Sequence, residues 1–364
     1  MTLTGGFRGN PITRKTLPES VTESTQMRGK VWIGVDIGGT KTAIVLSIKP
    51  PAVESRLQFA TRPARGPGHV LDAIREGIRT MLAARGLSNA AIAGIGVSCG
   101  SPQDRIRGII QAPPNLATWI DVPIRSILEE QFGARCRIEN DANAGAVAEH
   151  RYGAGRGFRN MVFLTMGTGL GAGVIVDGRL YRGTNDMAGE IGHLRLTRSG
   201  PIGNHKQGSA EGWASGGGVA QVAHQAVIAA RKRGLQTILG KHLQSGKELT
   251  ARDVTLAAAK GDAVARQIIT STGKRLGQVL AILVDVLNPQ RIVIGGLAMR
   301  MGETLLQPAR ETIRREALGV SAESCEVVPA ALGERIGDVA ALCVAMGICA
   351  EPGFRHKKKG PFGS

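Results

Sequence analysis

Two glycine-rich turns, each lying between two apolar segments, carry residue types that bind phosphate. The first follows Asp36 and the second follows Met166. Glycines let the backbone come close to a ligand, so its amides can bind phosphate oxygens, and hydroxyl or ammonium groups add donors. The candidate phosphate-binding residues are Gly38, Gly39, Thr40, Lys41, Gly167, Thr168, Gly169 and Gly171. The Asp36 carboxylate suits the water shell of Mg²⁺, and two ordinary β-hairpins are the alternative explanation of the glycines.

Two polar residues farther along the chain are placed for other chemistry. Asp141 lies at the junction between a short predicted strand and a helix of small residues that extends to about Glu149. A carboxylate there is close to amide donors, and it is either functional or only the cap of that helix. Asn115 lies in a segment whose two prolines preclude a helix. Its amide suits a sugar hydroxyl, and a capping role in a loop is the alternative.

Three further side chains lie in glycine-framed segments. Glu190 and His193 are three residues apart, and Glu211 follows another glycine-rich stretch. They could converge on the hydroxyl groups of a polyol, although a histidine is often only a satisfied polar residue. A predicted strand over 291–294 ends at Gly295 and Gly296, where bare backbone leaves room for a flat adenine ring.

These residues need a scaffold of alternating strands and helices. Apolar β-branched segments around the two glycine turns predict β-hairpins over 31–48 and 161–176. The other predicted strands cover 53–60, 91–97, 137–140, 291–294 and 325–329. Apolar spacing predicts helices over 69–85, 123–132, 217–232, 251–260, 262–287 and 337–348. Two similar hairpins predict a duplicated α/β architecture with ligands at the carboxyl ends of the strands.

The composition bounds the class of protein. The 364 residues suggest two domains, and because aromatic residues are only 3%, the cores must consist of aliphatic side chains. Five cysteines without a CxxC pair predict reduced thiols in a cytoplasmic protein. The chain has no run of 18 apolar residues and no apolar N-terminal segment, so we expect neither a membrane span nor a secretory signal.

The net charge is +17. Residues 1–30 and 353–364 are poor in aliphatic side chains and are predicted to be disordered tails, the second of them basic. A basic surface attracts polyanions such as nucleic acid or polyphosphate, and charge that only keeps the protein soluble is the alternative.

Five motifs in this order resemble the ROK family (repressors, open reading frames, kinases) of sugar kinases, in the actin/Hsp70/hexokinase superfamily. The motifs are residues 36–41, 139–143, 167–173, 189–193 and 292–296. The resemblance implies an α/β, two-domain ribonuclease H-like (actin-like ATPase) fold with an interdomain cleft. It divides the chain into a small α/β domain, residues 31–138 plus 334–352, and a large α/β domain, residues 139–333.

The resemblance also implies roles for individual residues. Asp141 matches the catalytic base, and Asp36 with the two glycine turns matches the phosphate and magnesium sites. Gly295 and Gly296 match the adenosine site. The sugar-contacting positions that the family implies are Asn115, Asn140, Glu190, His193 and Glu211. ATP and Mg²⁺ are the implied cofactors.

One departure from the family concerns zinc. Many members carry a CxCGxxGC zinc knuckle, with a histidine that corresponds to His193 as the fourth ligand. This chain has Ile202, Asn204 and Ser209 in place of the cysteines. His193 and His205 do not supply the four ligands of a structural zinc. We therefore expect no zinc site, and we expect hydrogen bonds through Asn204 and His205 to replace the metal.

The predicted function is ATP-dependent phosphorylation of a hexose at its C6 hydroxyl, with Asp141 as the general base. Glucose, allose, N-acetylmannosamine, N-acetylglucosamine and kanosamine stay open as substrates, and polyphosphate stays open as donor. A sugar-responsive transcriptional regulator is the alternative from another class. Only about 30 residues precede the first strand and no helix-turn-helix pattern appears, so nucleic-acid binding is not expected. The expected partners are a small-molecule sugar and a second copy of the chain in a homodimer.

Overall fold

The computed structural model describes residues 29–349, so the predicted tails lie almost entirely outside the described residues. The strands are β1 (Val31–Ile37), β2 (Lys41–Ser47), β3 (Ser55–Ala60), β4 (Ile92–Cys99), β5 (Gln103–Asp104), β6 (Ile109–Ile110), β7 (Cys136–Asn140), β8 (Met161–Met166), β9 (Leu170–Val176), β10 (Arg179–Tyr181), β11 (Ile202–Gly203), β12 (Lys206–Gln207), β13 (Arg291–Gly296) and β14 (Glu326–Pro329). The helices are α1 (Gly68–Ala83), α2 (Ile124–Phe132), α3 (Asp141–Tyr152), α4 (Ala210–Ala214), α5 (Gly216–Lys232), α6 (Ile238–Gln244), α7 (Ala251–Ala259), α8 (Ala263–Leu287), α9 (Leu297–Met301), α10 (Glu303–Glu316), α11 (Gly319–Ser324) and α12 (Ile336–Ala345). Within residues 29–349, no helix is both long and apolar enough to cross a membrane.

Two five-stranded sheets share one topology, which confirms the predicted duplication. Sheet one has the order β3-β2-β1-β4-β7, and sheet two has the order β10-β9-β8-β13-β14. In each sheet three strands form an antiparallel meander that begins with a predicted hairpin. Two later strands then add in parallel beside the first strand of the meander. Parallel pairing requires crossover connections, and here helices supply them.

Two helices of small residues lie centrally, because α12 packs on sheet one, α3 packs on sheet two, and the two helices contact each other. Glycines in the sheets make this approach possible. A Cβ on Gly96 of β4 would lie only 2.1 Å from the Ala345 nitrogen, and one on Gly173 of β9 only 2.4 Å from the Ala142 oxygen. The start of α3, where Asp141 lies, is thereby held against the second hairpin.

The apolar cores consist mainly of Ala, Val, Ile and Leu, as the composition predicts. Phe163 of β8 is one of the few large aromatic exceptions and is 2% exposed. Its ring fills the space left by Gly145 of α3, where a Cβ would lie 2.5 Å from a ring carbon. Truncation of such a side chain costs about 3–5 kcal/mol, so this contact contributes strongly to the packing of α3.

Charged pairs connect the segments of the two sheets. Glu139, at the end of β7, accepts hydrogen bonds from Arg182 Nε at 3.1 Å and Nη2 at 2.8 Å, and both side chains are buried. Arg182 also donates to the Cys349 carbonyl. Arg105 lies 3.5 Å from Asp186. Removal of one partner from a buried pair leaves an uncompensated charge, at a cost of about 3–5 kcal/mol. We propose that the predicted domain boundaries, 138/139 and 333/334, coincide with this connection.

Some predicted boundaries are wrong at strand ends. β4 continues to Cys99, and β13 continues through Gly295 and Gly296, because backbone pairing extends past the predicted apolar segments. The proline-containing segment predicted to lack helix contains a 3₁₀ turn over Pro114–Leu116, since a single such turn accepts proline in its first positions. The short helices α4, α6, α9 and α11 were not predicted, because one or two turns give little periodic signal.

Candidate active site

The two central carboxylates come together because β1, β4 and β7 are parallel neighbours. Asp36 of β1 pairs in register with Ser98 of β4, and Ser98 pairs with Glu139 of β7. Asp141 follows two residues after Glu139, at the start of α3. The carboxyl ends of adjacent parallel strands lie at one edge of a sheet, and the charge of Asp141 acts on Asp36. The two carboxylates therefore lie near one another, and their shared role in one active site stays a prediction.

Burial and the nearby Asp141 charge raise the pKa of Asp36 to about 6, while Ser98 and Lys41 oppose this shift. The start of α12 lies against this carboxylate, because a Cβ on Gly337 would lie 2.3 Å from Asp36 Oδ2. A half-buried carboxylate repelled by a second carboxylate is a suitable place for a hard divalent cation. Within residues 29–349 no group of three Asp, Glu, His or Cys side chains is placed to hold a metal. A magnesium ion here would thus keep several waters or phosphate oxygens as ligands.

The structure shows that Asp141 is not the residue that caps α3. The cap of α3 is Asn140, whose Oδ1 accepts a hydrogen bond from the Asn143 nitrogen at 3.0 Å. Asp141 Oδ1 instead accepts from the Ala142 nitrogen at 2.8 Å, and its side chain opens to solvent. Desolvation by the surrounding protein raises the pKa of Asp141, and backbone hydrogen bonds to the carboxylate oppose that effect. A solvent-accessible carboxylate with a raised pKa is suited to accept a proton.

Asn140 is also occupied at its other amide atom, since Nδ2 donates to Ser101 Oγ at 2.9 Å. The predicted sugar contact of Asn140 would therefore have only its second amide hydrogen for a ligand. Ser101 lies in the strand-end loop after β4, and no local pattern predicts this particular contact.

The first glycine turn is held from within sheet one. The Gly38 nitrogen donates to the Lys41 oxygen at 3.0 Å, and Thr61 Oγ1 donates to the Gly38 oxygen at 2.7 Å. Gly39 lies directly against Asn115, because a Cβ on Gly39 would be 2.8 Å from the Asn115 Cβ. Sequence reasoning missed Thr61, which is buried just after β3 and is separated from the turn by about 20 residues.

The second glycine turn is held by Glu211 of α4. Glu211 Oε2 accepts a hydrogen bond from the Leu170 nitrogen at 3.1 Å, and a Cβ on Gly169 would lie 2.7 Å from the same oxygen. The Gly167 oxygen accepts from the Gly216 nitrogen at 2.8 Å, at the start of α5. A Cβ on Gly167 would meet no atom within 4 Å, so this position of the turn is open.

Glu190 is presented by a segment that lies on the backbone of β9. A Cβ on Gly189 would lie 2.0 Å from the Ala172 oxygen, and one on Gly192 would lie 2.4 Å from the Leu170 oxygen. Gly189 also has a φ of +94°, which side chains rarely adopt. The two glycines on either side of Glu190 and Ile191 are thus required by close backbone packing.

Four of the predicted site residues interact electrostatically. Burial raises the pKa of Glu190; His193 lowers it, and the charges of Asp141 and Glu211 raise it further. His193 Nε2 lies 3.8 Å from Glu190 Oε2. The structure therefore brings Asp141, Glu190, His193 and Glu211 into one cluster, beside the second turn.

A short hairpin occupies the segment where family members carry the zinc knuckle. Asn204 and His205 connect β11 to β12 with positive φ values of 44° and 61°, which is the pattern of a type I′ turn. Asn204 Nδ2 lies 3.0 Å from His193 Nε2, and Lys206 Nζ donates to the His193 oxygen at 2.6 Å. These contacts agree with the expectation that Asn204 helps to hold this segment. His205 makes no corresponding contact among the described residues.

The hairpin is fastened to the helices behind it. Gln221 of α5 accepts from the Ile202 nitrogen at 2.9 Å and donates to the Ile202 oxygen at 2.8 Å. A Cβ on Gly203 would lie 2.8 Å from the Glu211 Cβ. The hairpin is therefore in contact with both His193 and Glu211.

The glycines of the predicted adenosine site have a packing explanation. Gly296 has a φ of +70°, and a Cβ there would lie 2.2 Å from the Met166 oxygen. A Cβ on Gly295 would lie 3.2 Å from the Phe163 ring. The fold requires small residues here whether or not adenine binds, so their ligand role stays a prediction.

Comparisons with known proteins agree with this architecture. The model of the ROK family matches residues 32–347. A glucokinase from Halalkalibacterium halodurans is 32% identical over 313 residues, which cover 85% of this chain and 93% of that one. The chain therefore belongs to the ROK family, and the resemblance seen in the sequence is confirmed.

The solved relatives confirm the fold class. A ROK family glucokinase from Streptomyces griseus, in complex with glucose and AMPPNP, is 31% identical with a TM-score of 0.72. The match covers 87% of this chain and 99% of that chain. The chain is also similar to the xylose repressor of Caldicellulosiruptor bescii, with 31% identity over 260 residues, 70% of this chain and 62% of the repressor.

Proposed function

We propose that this protein is an ATP-dependent sugar kinase that phosphorylates a hexose, with glucose as the first candidate. The observation that carries the proposal is Asp141, a solvent-accessible carboxylate beside Asp36 and between two glycine turns of matching topology. Similarity to glucokinases over most of the chain supports the same conclusion.

In the proposed reaction, the hexose lies near the cluster that contains Glu190, His193 and Glu211, with its C6 hydroxyl toward Asp141. Asp141 accepts the hydroxyl proton as the oxygen attacks the γ-phosphorus of ATP, and ADP leaves with the bridging oxygen. The raised pKa of Asp141 makes this carboxylate a stronger base than an exposed one. Asn115 and Asn140 are the proposed further sugar contacts.

The two turns hold the phosphate chain in this proposal. The Gly38 and Gly167 amides donate within their own turns, so the backbone amides of Gly39 and Thr40, and those of Thr168 and Gly169, are the ones that face the phosphates from opposite sides in this proposal. Lys41 adds a positive charge. Gly295 and Gly296 lie beside the proposed adenosine position. Asp36 would hold Mg²⁺ through water, and the ion neutralises charge on the phosphates when bound. The burial of Asp36 and its repulsion by Asp141 fit that role.

The test is Asp141→Asn, which keeps the shape of the side chain and removes the base. We expect kcat with glucose to fall about 10²–10⁴-fold while sugar affinity changes little. Asp72→Asn, on the exposed surface of α1, is the matched control and should keep full activity. A variant at Asp141 with near wild-type kcat would show that the carboxylate is not the base.

One panel of assays determines which sugar accepts the phosphoryl group and which compound donates it. Glucose, allose, N-acetylmannosamine, N-acetylglucosamine and kanosamine are compared with ATP and with polyphosphate in a product-release assay. Glucose with ATP should give the highest kcat/KM. If no sugar is phosphorylated with either donor, the kinase proposal fails.

A sugar-responsive regulator is the second candidate, because the chain is similar to a xylose repressor over 260 residues. A mobility-shift assay with genomic DNA fragments, at two salt concentrations and with or without sugar, distinguishes the two functions. Sequence-specific, sugar-sensitive binding without kinase activity would favour the regulator.

We also propose that the protein is a cytoplasmic homodimer. Light scattering coupled to size exclusion measures the mass directly, and a value near the 38.2 kDa of one chain would contradict the dimer.

A further inference from the structure

A cavity of about 850 Å³ lies outside the proposed active site and shares no lining residue with it. Four parts of the chain form its wall. These are the turn at Pro51 between β2 and β3, the end of α3 with the loop that follows it, Gly178 in the turn between β9 and β10, and the start of α12 with the segment before it. Because α3 has 12 residues, the cavity is about 18 Å from Asp141, at the other end of that helix.

The wall of this cavity is basic and contains no carboxylate side chain. The basic residues that line it are His150, Arg151, Arg156, Arg159 and Arg335. Of the four arginines, only Arg159 forms an ion pair with a carboxylate of the described residues, Asp177 at 3.1 Å. The four arginines are exposed to solvent, but clustering like charges without carboxylate partners is still unfavourable, so this arrangement needs an explanation.

The dipoles of α3 and α12 explain the positions of only some of these basic residues. His150 and Arg151 lie in the last turn of α3, where cations stabilise the negative end of a helix. Arg156 lies beyond that helix. Arg335 immediately precedes α12, at the positive end of that helix, where a cation is unfavourable. The positive potentials of Arg335 and of the α12 terminus therefore add in the same cavity.

We propose that this cavity is a binding site for a multiply charged phosphoanion, such as a phosphorylated sugar, a nucleotide or a short polyphosphate. Guanidinium groups match phosphate oxygens with paired, charge-assisted hydrogen bonds. The volume is sufficient for a ligand of that size. Tyr152 contributes an aromatic surface to the same wall, on which a ring can pack.

The position of the cavity gives such a ligand access to both halves of the molecule. Pro51 belongs to the turn between two strands of sheet one, whereas α3 packs on sheet two. α12 carries Arg335 at its start and touches Asp36 through Gly337. A bound anion would thus contact α3, which carries Asp141, and α12, which packs against Asp36, without occupying the proposed phosphate positions.

The test compares two doubly substituted full-length proteins of equal charge. Arg156→Gln with Arg335→Gln removes the two arginines that the helix dipoles leave unexplained. Lys247→Gln with Arg252→Gln, at exposed positions elsewhere, is the control pair. Titration calorimetry at constant ionic strength uses inorganic phosphate, tripolyphosphate, AMP and glucose 6-phosphate separately, which also distinguishes the possible sources of the anion.

We expect at least one of these anions to bind the wild-type protein. Its Kd should be at least tenfold higher for the Arg156/Arg335 pair. Its Kd for the control pair should stay within twofold of wild type. The kinase kcat of both pairs should stay unchanged, because neither pair contacts the proposed active site. The thermal midpoint of the Arg156/Arg335 pair should not fall below that of wild type, because those two charges are unfavourable where they stand. Three results would overturn the proposal: no binding of any anion to wild type, equal binding to all three proteins, or equal loss in both pairs. This test does not depend on whether the kinase assay succeeds.

Discussion

The two glycine turns occupy the same place in two sheets of the same topology, but their surroundings differ. The first turn has a carboxylate, Asp36, in the next-to-last position of the strand before it, and the second has Thr165 in that position. The first turn is held by a hydrogen bond from the neutral hydroxyl of Thr61, whereas the second is held by a hydrogen bond to the carboxylate of Glu211. In the proposed function, the first half of this duplicated backbone is therefore the cation side and the second half is the direct phosphate side.

Each turn also touches a different proposed sugar contact. Gly39 packs against Asn115, and Gly169 packs against Glu211. The proposed sugar and phosphate sites are therefore joined by direct contacts in both halves. A substitution such as Gly169→Val would disturb Glu211 as well as any bound phosphate, so it is a poor probe of phosphate binding alone.

The largest expected difference between the two halves lies at Asp36 and Thr165. Asp36→Asn should lower kcat/KM for ATP about 10–100-fold, which is the usual cost of losing a group that orients a metal through its ligands. Thr165→Val, of the same shape without the hydroxyl, should stay within a few-fold of wild type. Steady-state kinetics at varied Mg²⁺ measures both. Equal losses in the two variants would remove the distinction between cation side and phosphate side.

The raised pKa of Asp36 predicts opposite pH trends for activity and stability. Activity needs the ionised carboxylate, so kcat/KM should fall as the pH decreases through about 6. Folding favours the neutral carboxyl, because the native state holds its proton to a higher pH than the unfolded chain does. The free energy of unfolding should therefore decrease as the pH rises from about 4 to about 6.

Asp36→Asn checks the second trend by denaturant unfolding at pH 7.5. The variant should be about 1–3 kcal/mol more stable than wild type, since it lacks the buried charge. Asp72→Asn, an exposed carboxylate, provides the comparison. A destabilised Asp36→Asn protein would mean that the charge is well compensated in the free enzyme.

Gly167→Ala separates the fold from the ligand in the second turn. A Cβ at this position meets no protein atom within 4 Å, so the variant should keep its thermal midpoint. The methyl group would enter the proposed phosphate position, and the KM for ATP should rise about tenfold, equivalent to about 1.4 kcal/mol. Gly319→Ala in α11, also open around the Cβ, is the control. An unchanged KM would argue against a phosphate at Gly167.

Glu211→Gln tests the link between the sugar and phosphate sites. The amide oxygen still accepts from Leu170, but the charge-assisted part of that hydrogen bond is lost. Because hydrogen bonds to charged groups are stronger by about 1 kcal/mol, KM should rise about fivefold for both sugar and ATP. His193→Ala, which does not touch the turn, should raise the KM for the sugar only. A change in one KM alone for Glu211→Gln would show that the two functions of this carboxylate are separate.

The smallest expected effect is that of Asn204→Gly. Glycine keeps the positive φ of the turn and removes the amide that contacts His193. The KM for the sugar should rise about threefold, the value of a neutral hydrogen bond of roughly 0.7 kcal/mol. His205→Gly changes the other residue of the same turn and should have no effect. If both variants behave alike, Asn204 does not position His193.

Much of the fold could be predicted because its signals are local. The hairpins around Gly38 and Gly167 follow from alternating β-branched residues and glycine turns, and α8 follows from a long apolar period. The same local signals could not assign the ends of β4 and β13, since there the neighbouring strands extend the pairing beyond the apolar residues.

The candidate site divides in the same way. Residue type and position alone made Asp36, Asp141 and the glycines candidates, with a helix cap and two ordinary hairpins as the alternatives. The partners of these residues come from distant parts of the chain, and only the tertiary structure shows them. Thr61 hydrogen-bonds to the first turn, Glu211 to the residue that follows the second turn, and Ser101 to Asn140.

The sequence by itself determined the family, the duplicated α/β architecture and the chemical character of the two turns. Those properties reside in short motifs whose order along the chain is sufficient. Only the tertiary structure decided that Asn140, rather than Asp141, caps α3, and that burial beside Asp141 sets the pKa of Asp36. The physical reason is that capping depends on the direction of a side chain, and a pKa depends on desolvation and on charges that come close only after folding.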